Sequence, residues 1–233
     1  NNLTLSTSDF DAASRITGYF AKKFTYAKNT LATPVSMTYQ GQSGTPYSFV
    51  YQNSLVKTIN RTATNDLIFI PTQAQLNTMI FSPNTVSGVT YTEQQQRDMF
   101  NTYIENNKYL SKHRGEYAER NGDRLPFTNL INLQIKQEFM LNLGKRAYGL
   151  ELTYDVFNLA NMFNHDAGRQ YFLANDQYAL VRFNGFVSST NLTPKYQFSP
   201  QTANGGNPYG VSTSTSPDYS ARWISAVTAR INF

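Results

Sequence analysis

The sequence predicts an all-β fold: a transmembrane antiparallel β-barrel, of which this chain supplies about five strands, with long extracellular loops that carry short helices. Three observations point there. First, the last seven residues, Val227 to Phe233, alternate apolar and polar up to a terminal aromatic side chain. Stepping back by two from Phe233 gives Ile231, Ala229, Val227, Ser225 and Trp223, while the other parity carries Asn232, Arg230, Thr228 and Arg222. Chain ends commonly fray, whereas a barrel wall keeps an apolar and a polar face to its last residue. Second, upstream segments alternate with the same period of two. Third, two connections are tight turns, while the others span about residues 52–126 and 163–218. Those spans are far longer than ordinary loops, and short turns on one side with long loops on the other are a mark of outer-membrane barrels.

The first alternating segment, about Ser14 to Tyr26, places Ile16, Gly18, Phe20, Phe24 and Tyr26 on one face and Arg15, Thr17, Tyr19, Lys23 and Thr25 on the other. Lys22 interrupts the apolar face, where its aliphatic stem lets the ammonium reach water. After the turn Ala27, Lys28, Asn29, a second segment shares one parity from Leu31 through Val35, Met37, Tyr39, Tyr47 and Phe49 to Tyr51. Read as one strand, it is much longer than a bilayer crossing needs and projects beyond the membrane. Pro34 cannot donate to a sheet ladder, and a bulge is expected there.

The third and fourth segments form a hairpin. Phe127, Ile131, Leu133, Ile135, Phe139 and Leu141 oppose Asn132, Gln134, Lys136 and Glu138; beyond the turn at Gly144, Lys145 and Arg146, Tyr148, Leu150, Leu152, Tyr154 and Val156 oppose Glu151, Thr153, Asp155 and Phe157. The fifth segment runs from about Tyr219 to the end. With the terminus on the periplasmic side, the strands run down, up, down, up, down, and both short turns fall in the periplasm. Lys136, Glu138, Glu151, Asp155 and Arg230 then share the inward face, as an ion network in a wet lumen. Glu151 and Arg230 should be neighbours, with Lys136 beside Glu151 or Asp155.

Composition bounds the function. No stretch approaches the roughly 20 apolar residues of a membrane helix, and a mean hydropathy of −0.47 fits a soluble domain or a barrel with a polar lumen. A soluble β-sandwich accounts poorly for the loop lengths and the terminal aromatic. Cysteine is absent, which removes disulfides, thiol catalysis and thiolate metal sites. The net charge is +5, yet the basic residues are scattered. Lys112, His113 and Arg114 sit beside Glu116 and Glu119, a solvated loop rather than a nucleic-acid footprint. The two histidines, His113 and His165, lack metal spacing, and no residue set resembles a catalytic constellation. No enzyme activity, cofactor or metal is therefore assigned. Asn65–Asp66 and Asn175–Asp176 could offer oxygen ligands to calcium, but turn chemistry explains both pairs.

The long connections are not blank. Thr92 is a candidate N-cap for a helix through Asn106, with Met99, Phe100, Tyr103 and Ile104 at helical spacing, and a second short helix covers Thr72 to Ile80. Such elements let a loop pack on itself over a barrel mouth. Tyr103, Tyr109, Tyr117, Tyr171, Phe172, Tyr178, Phe183 and Phe186 supply either a small core or a platform for sugars or peptides, and loops of this length need the former. Gly205–Gly206–Asn207–Pro208 and the Ser212 to Ser216 run read as turn-rich, low-complexity sequence.

Several stretches carry a family resemblance: Gly41 to Tyr47 (GQSGTPY), Asn65 to Pro71 (NDLIFIP), Leu110 to Asn121 (LSKHRGEYAERN), Tyr154 to Leu159 (YDVFNL) and Arg222 to Phe233. Together they resemble the C-terminal part of Oar-like TonB-dependent transporters of Bacteroidota. The resemblance covers most of the chain and is most specific in LSKHRGEYAERN. It implies a barrel of roughly 22 strands in the bacterial outer membrane, a plug in the lumen, and a periplasmic box that engages TonB for import driven by the proton-motive force. The plug, the box and the earlier strands are missing from this sequence, which also lacks a signal peptide, and reads as a processed or truncated piece. The implied partners are outer-membrane lipid, TonB through the missing N-terminal part, and a surface lipoprotein or other outer-membrane subunits. The resemblance also assigns Phe233, with Ile231 and Trp223 on the same face, to a C-terminal assembly signal. The alternative function is a non-transporting barrel that docks or scaffolds a larger membrane complex.

Overall fold

The computed structural model describes residues 5–52, 66–143, 146–173, 176–200, 206–211 and 222–233. It is mostly β. In chain order the elements are β1 (Arg15–Tyr26), β2 (Leu31–Gln42), β3 (Pro46–Gln52), α1 (Gln73–Thr78), β4 (Ile80–Phe81), β5 (Asn84–Val86), β6 (Val89–Tyr91), α2 (Glu93–Asn106), β7 (Asp123–Arg124), β8 (Thr128–Leu143), β9 (Arg146–Phe157), α3 (Leu159–Phe163), β10 (Tyr171–Phe172), β11 (Gln177–Phe186), β12 (Pro194–Gln197), β13 (Gly210–Val211) and β14 (Ile224–Asn232). Among the described residues no helix is long and apolar enough to cross a membrane. The chain divides into two compact units, one of residues 1–11, 45–125 and 173–210, the other of 12–44, 126–172 and 211–233.

The second unit is a five-stranded antiparallel sheet in the order β1-β2-β8-β9-β14. It is open at β1 and β14, and no closed barrel is formed among the described residues. The alternation read from the sequence sets its register. Phe20 faces Met37, Met37 faces Leu133, Leu133 faces Val156 and Val156 faces Ser225, while Tyr26, Leu31, Phe139, Leu150 and Ile231 form another such row. A slip of one residue would send every side chain to the opposite face. The β1–β2 turn takes three consecutive residues into the left-handed region, Ala27, Lys28 and Asn29 with φ of 51°, 54° and 68°, and Thr30 closes it with N–H and hydroxyl bonds to the Ala27 carbonyl at 3.1 and 2.6 Å. Residues 144–145, at the β8–β9 turn, lie outside the described residues, as do Tyr219 and the Ser212 to Ser216 run.

Two sequence expectations are corrected here. The segment Leu31 to Tyr51 is not one strand. It ends at Gln42, and after Ser43, Gly44 and Thr45 the chain re-enters extended structure as β3, in a different sheet. Parity survived the break, so periodicity alone could not reveal it. Nor does Pro34 make a bulge: Lys23 pairs with Pro34 in unbroken β1–β2 register, and β2 keeps one register with β8 on either side of it.

The spans expected as long loops supply most of the first unit. Its sheet, ordered β4-β12-β11-β3-β7, mixes parallel β3–β11 and β4–β12 pairs with antiparallel ones. Both expected helices form, each with a capping box: Thr72 and Thr92 accept from the N–H of Gln75 and Gln95, whose side chains reach back to the cap N–H. The core contains Tyr47, Phe49, Ile68, Ile70, Leu76, Phe81, Phe100, Ile104, Leu110, Val181 and Phe198, each at most 2% exposed. Gln96 is buried within it and fully used, donating to the carbonyl of Ser82 at 2.8 Å and accepting from the Phe198 N–H at 3.0 Å.

LSKHRGEYAERN straps this core. Its backbone pairs with the NDLIFIP segment through Gly115 N–H to Ile70 O and Ala118 N–H to Ile68 O, both 2.7 Å. Arg114 binds the Pro71 carbonyl at 3.1 Å and the Asn101 side chain at 2.7 Å. Asn121, left-handed at φ 58° as asparagine tolerates, donates its backbone N–H to Ser48 Oγ and its side-chain amide to Asp9 Oδ1. A Cβ on Gly122 would stand 2.5 Å from the Tyr109 ring. Phe100 packs on Phe81 and Phe198 at centroid distances of 6.3 and 5.2 Å. Phe100→Ala should therefore cost about 3–5 kcal/mol, read as a lower urea midpoint by near-ultraviolet circular dichroism; a shift under about 1 kcal/mol would contradict this core.

Candidate functional site

The candidate site is the sheet of the second unit, whose two faces differ in chemistry in an unusual sense. On β9 the apolar residues Leu152 and Tyr154 are 40% and 39% exposed, while the intervening Glu151, Thr153 and Asp155 are less open. On the same face Phe20, Phe24, Met37, Ile135, Val227 and Ile231 are exposed at 38–76%, and the edge strands β1 and β14 are exposed on both faces. Water-soluble sheets cover their apolar face. A contiguous exposed apolar face marks an interaction with an apolar phase or partner.

Polar groups on this face collect toward the ends of the strands. At the short-turn end, the hydroxyls of Tyr26 and Thr33 donate to Gln137 Oε1 at 2.8 and 2.7 Å, and the Gln137 amide donates to the carbonyls of Ala32 and Glu138, both at 3.2 Å. At the other end, Tyr39 donates to Asn129 Oδ1 at 2.7 Å beside Phe127. Sequence reading missed Gln137 and Asn129 on the apolar face; their spacing of eight residues was the available signal. Nine residues inclusive match the roughly 9–11 of a tilted transmembrane strand. Tyrosine and tryptophan favour such boundaries because one end of the ring is apolar and the other wet.

The polar intrusions are also oblique. Lys22 lies on β1, whereas Thr33 and Gln137 lie one two-residue step nearer the turns on β2 and β8, and the apolar set on β14 continues to Ile231. Strands about 4.8 Å apart and tilted roughly 35–45° from a membrane normal shift a water boundary by about 4 Å per strand. The drift on the sheet has that size.

The polar face holds the expected ionic residues. Arg230 is the direct cross-strand partner of Glu151, but the Glu151 carboxylate is engaged by Lys136 at 3.6 Å and Asn232 at 3.3 Å. Asp155 accepts from Gln134 at 2.7 Å. Glu138 stands directly opposite Glu151, a like-charge pair that costs energy alone. Its carboxylate is met by Lys23 at 2.6 Å, which reaches over β2 where only Ala32 and Pro34 intervene. That pair was not foreseen, because it joins strands with no sequence-readable register between them. Exposed ion pairs of this kind contribute little.

Of the proposed assembly residues, Trp223 is 40% exposed and donates its backbone N–H to Asn161 Oδ1 at 3.3 Å, and Ile231 and Phe233 are 68% and 99% exposed. His113 binds the Tyr109 carbonyl at 2.8 Å through Nδ1 and stacks on that ring, and the His165 carbonyl accepts from Asn161. Both fit structural roles. Asp66 and Asp176 are described but their partners Asn65 and Asn175 are not, and among the described residues no group of three metal-ligating side chains occurs.

In the first unit a groove of about 500 Å³ is lined by Asp98, Met99, Tyr103, Asn106, Phe198 and Pro208. The Tyr103 hydroxyl, buried beneath it, has no hydrogen-bond partner among the described residues. Of the loop aromatics named above, Tyr103 packs on Tyr178 and Phe183 on Phe186, Tyr109 lies against Phe49 and Tyr117 against Phe69, while Phe172, in the second unit, is 55% exposed. No family model matches the chain, and no curated protein or solved structure does.

Burial raises the phenol pKa of Tyr47, Tyr51 and Tyr103 well above the usual value, with Asp123 adding to the effect at Tyr47, and pushes Tyr178 up to about 12. An acid held neutral by folding contributes stability below its unfolded pKa, about 10 for tyrosine, and loses it as pH rises through the folded value. The first unit should lose stability between pH about 10 and about 12. Phenolate absorbance should rise in two phases, exposed tyrosines first and the buried set with loss of tertiary structure. A single phase near pH 10 would contradict this burial.

Proposed function

We propose that the second unit is part of the wall of an outer-membrane β-barrel, with the apolar band against lipid and the ionic face toward a wet lumen. In this reading the chain belongs to an energy-coupled receptor or transporter that imports a large nutrient or ligand and engages TonB from the periplasm. The observation that supports it most is the exposed apolar band with tyrosine–amide groups toward both ends. An isolated five-stranded open sheet leaves two long unpaired edges, which closure in a larger barrel removes. The family resemblance of LSKHRGEYAERN and the terminal strand supplies the import chemistry.

A second reading, a barrel retained as a docking subunit, draws on the first unit: a self-contained fold with its own aromatic core and surface groove suits a binding platform without transport. Uptake abolished by collapsing the proton-motive force distinguishes the first reading from the second. The membrane claim has its own test. Leu152→Arg places a cation on the apolar face opposite Gln137 and should cost about 1–2 kcal/mol, between the boundary and mid-membrane values, while Thr153→Arg, on the polar face, should cost little. Refolding into lipid bilayers compares the two, and equal tolerance would overturn the assignment of faces.

A further inference from the structure

We infer that the groove of the first unit binds a neutral saccharide. The inference rests on the receptor reading for its biological sense, because it gives the ligand a chemical class, while the groove that carries it lies wholly within the first unit. Its size, about 500 Å³, is within the range of small-molecule sites. One wall is the face of α2 that carries Asp98, Met99, Tyr103 and Asn106, and the other includes Pro200 and Pro208. The core fixes this orientation: Phe100 and Ile104 are 1% and 0% exposed, so the residues just before them in each turn face the groove.

The polar groups on this wall are the ones with capacity to spare. The Tyr103 hydroxyl is buried and has no hydrogen-bond partner among the described residues. A buried hydroxyl left so costs about 1–3 kcal/mol, which a ligand atom reaching it would relieve. Burial raises its pKa, so it stays neutral and can both donate and accept. Among the described residues the Asn106 amide makes no hydrogen bond, and the Asp98 carboxylate has no ion pair and accepts only from the Gln94 amide at 2.8 Å.

This set selects the ligand. No Lys, Arg or His lines the groove, and with Asp98 as its one charge it disfavours phosphates, carboxylates and acidic sugars. A purely apolar ligand would desolvate Asp98 and Asn106 without pairing them. An extended peptide takes much of its affinity from a free strand edge, whereas this wall is a helix face. Sugar hydroxyls donate and accept at once, so one ligand can pair a carboxylate, an amide and a phenol, while the C–H face of its ring lies on Met99 and the two prolines.

The test uses the chain in detergent micelles on a printed array of neutral, sulfated and sialylated oligosaccharides, short peptides and the polyamine spermidine. A neutral oligosaccharide should be captured in preference to every other class, and calorimetry then gives its affinity in solution. Tyr103→Phe removes only the hydroxyl and should weaken that affinity about tenfold while the urea midpoint holds or rises, since the lost group had no partner. Asn106→Ala, an exposed change, should also weaken it. Tyr117→Phe, outside the groove, should leave it unchanged. Capture of no neutral oligosaccharide, preference for an anion, a peptide or spermidine, or affinity indifferent to both groove variants would each overturn the inference, as would a Tyr103→Phe chain that loses stability. A chain that meets the Leu152 and Thr153 expectation yet binds no saccharide loses this inference and keeps the barrel-wall reading.

Discussion

The interstrand hydrogen-bond register of the five-stranded sheet is the constraint on which the rest depends. Backbone N–H and C=O groups away from water must be paired, and antiparallel pairing from β1 through β14 meets that demand for every inner strand. The same register decides the chemistry of both faces, since side chains alternate with a period of two. With Met37 opposite Leu133 and Arg230 opposite Glu151, apolar residues fall in rows on one side and ionic residues on the other. One common register thus yields both the band that suits lipid and the face that suits water.

The first unit obeys a different logic. Its stability comes from a buried aromatic core, closed by a strap in which His113 and Arg114 bind backbone carbonyls and Arg120 and Asn121 bind Asp9. This accounts for why LSKHRGEYAERN is so distinctive a stretch. Gly115 sits at φ 90° and Asn121 at φ 58°, and Gly122, just beyond the stretch, leaves room for the Tyr109 ring, so these three positions each admit few residue types. Sequence specificity there reflects packing and backbone geometry, and within the basic run Lys112, His113, Arg114 the latter two are engaged, His113 with the Tyr109 carbonyl and Arg114 with the Pro71 carbonyl and Asn101.

Much of the second unit was legible because alternation is a local signal. Four of the five strands, the turn at Ala27 to Asn29 and the apolar parity could be read directly, and Thr92 was legible as the N-cap of the longer helix. What escaped was non-local. The break between Gln42 and Pro46 left the parity of Tyr47, Phe49 and Tyr51 intact, so β3 looked like a continuation of β2. Parallel pairing of β3 with β11 joins segments about 130 residues apart, and no periodicity encodes it. The ionic face was legible as a set of residues, while the partners were not: Lys23 finds Glu138 across an intervening strand, and Glu151 prefers Lys136 to the directly opposed Arg230.

The central claim, that the exposed apolar face meets lipid and the opposite face meets water, is tested most directly by spin-label accessibility along β9. Nitroxides placed singly at positions 150 to 155 of the chain in lipid bilayers report collision with apolar oxygen and with a polar nickel chelate. The account predicts a period-two pattern, with oxygen collisions highest at Leu150, Leu152 and Tyr154 and nickel collisions highest at Glu151, Thr153 and Asp155. Accessibility to both reagents that does not alternate, or that alternates with the opposite phase, would contradict it.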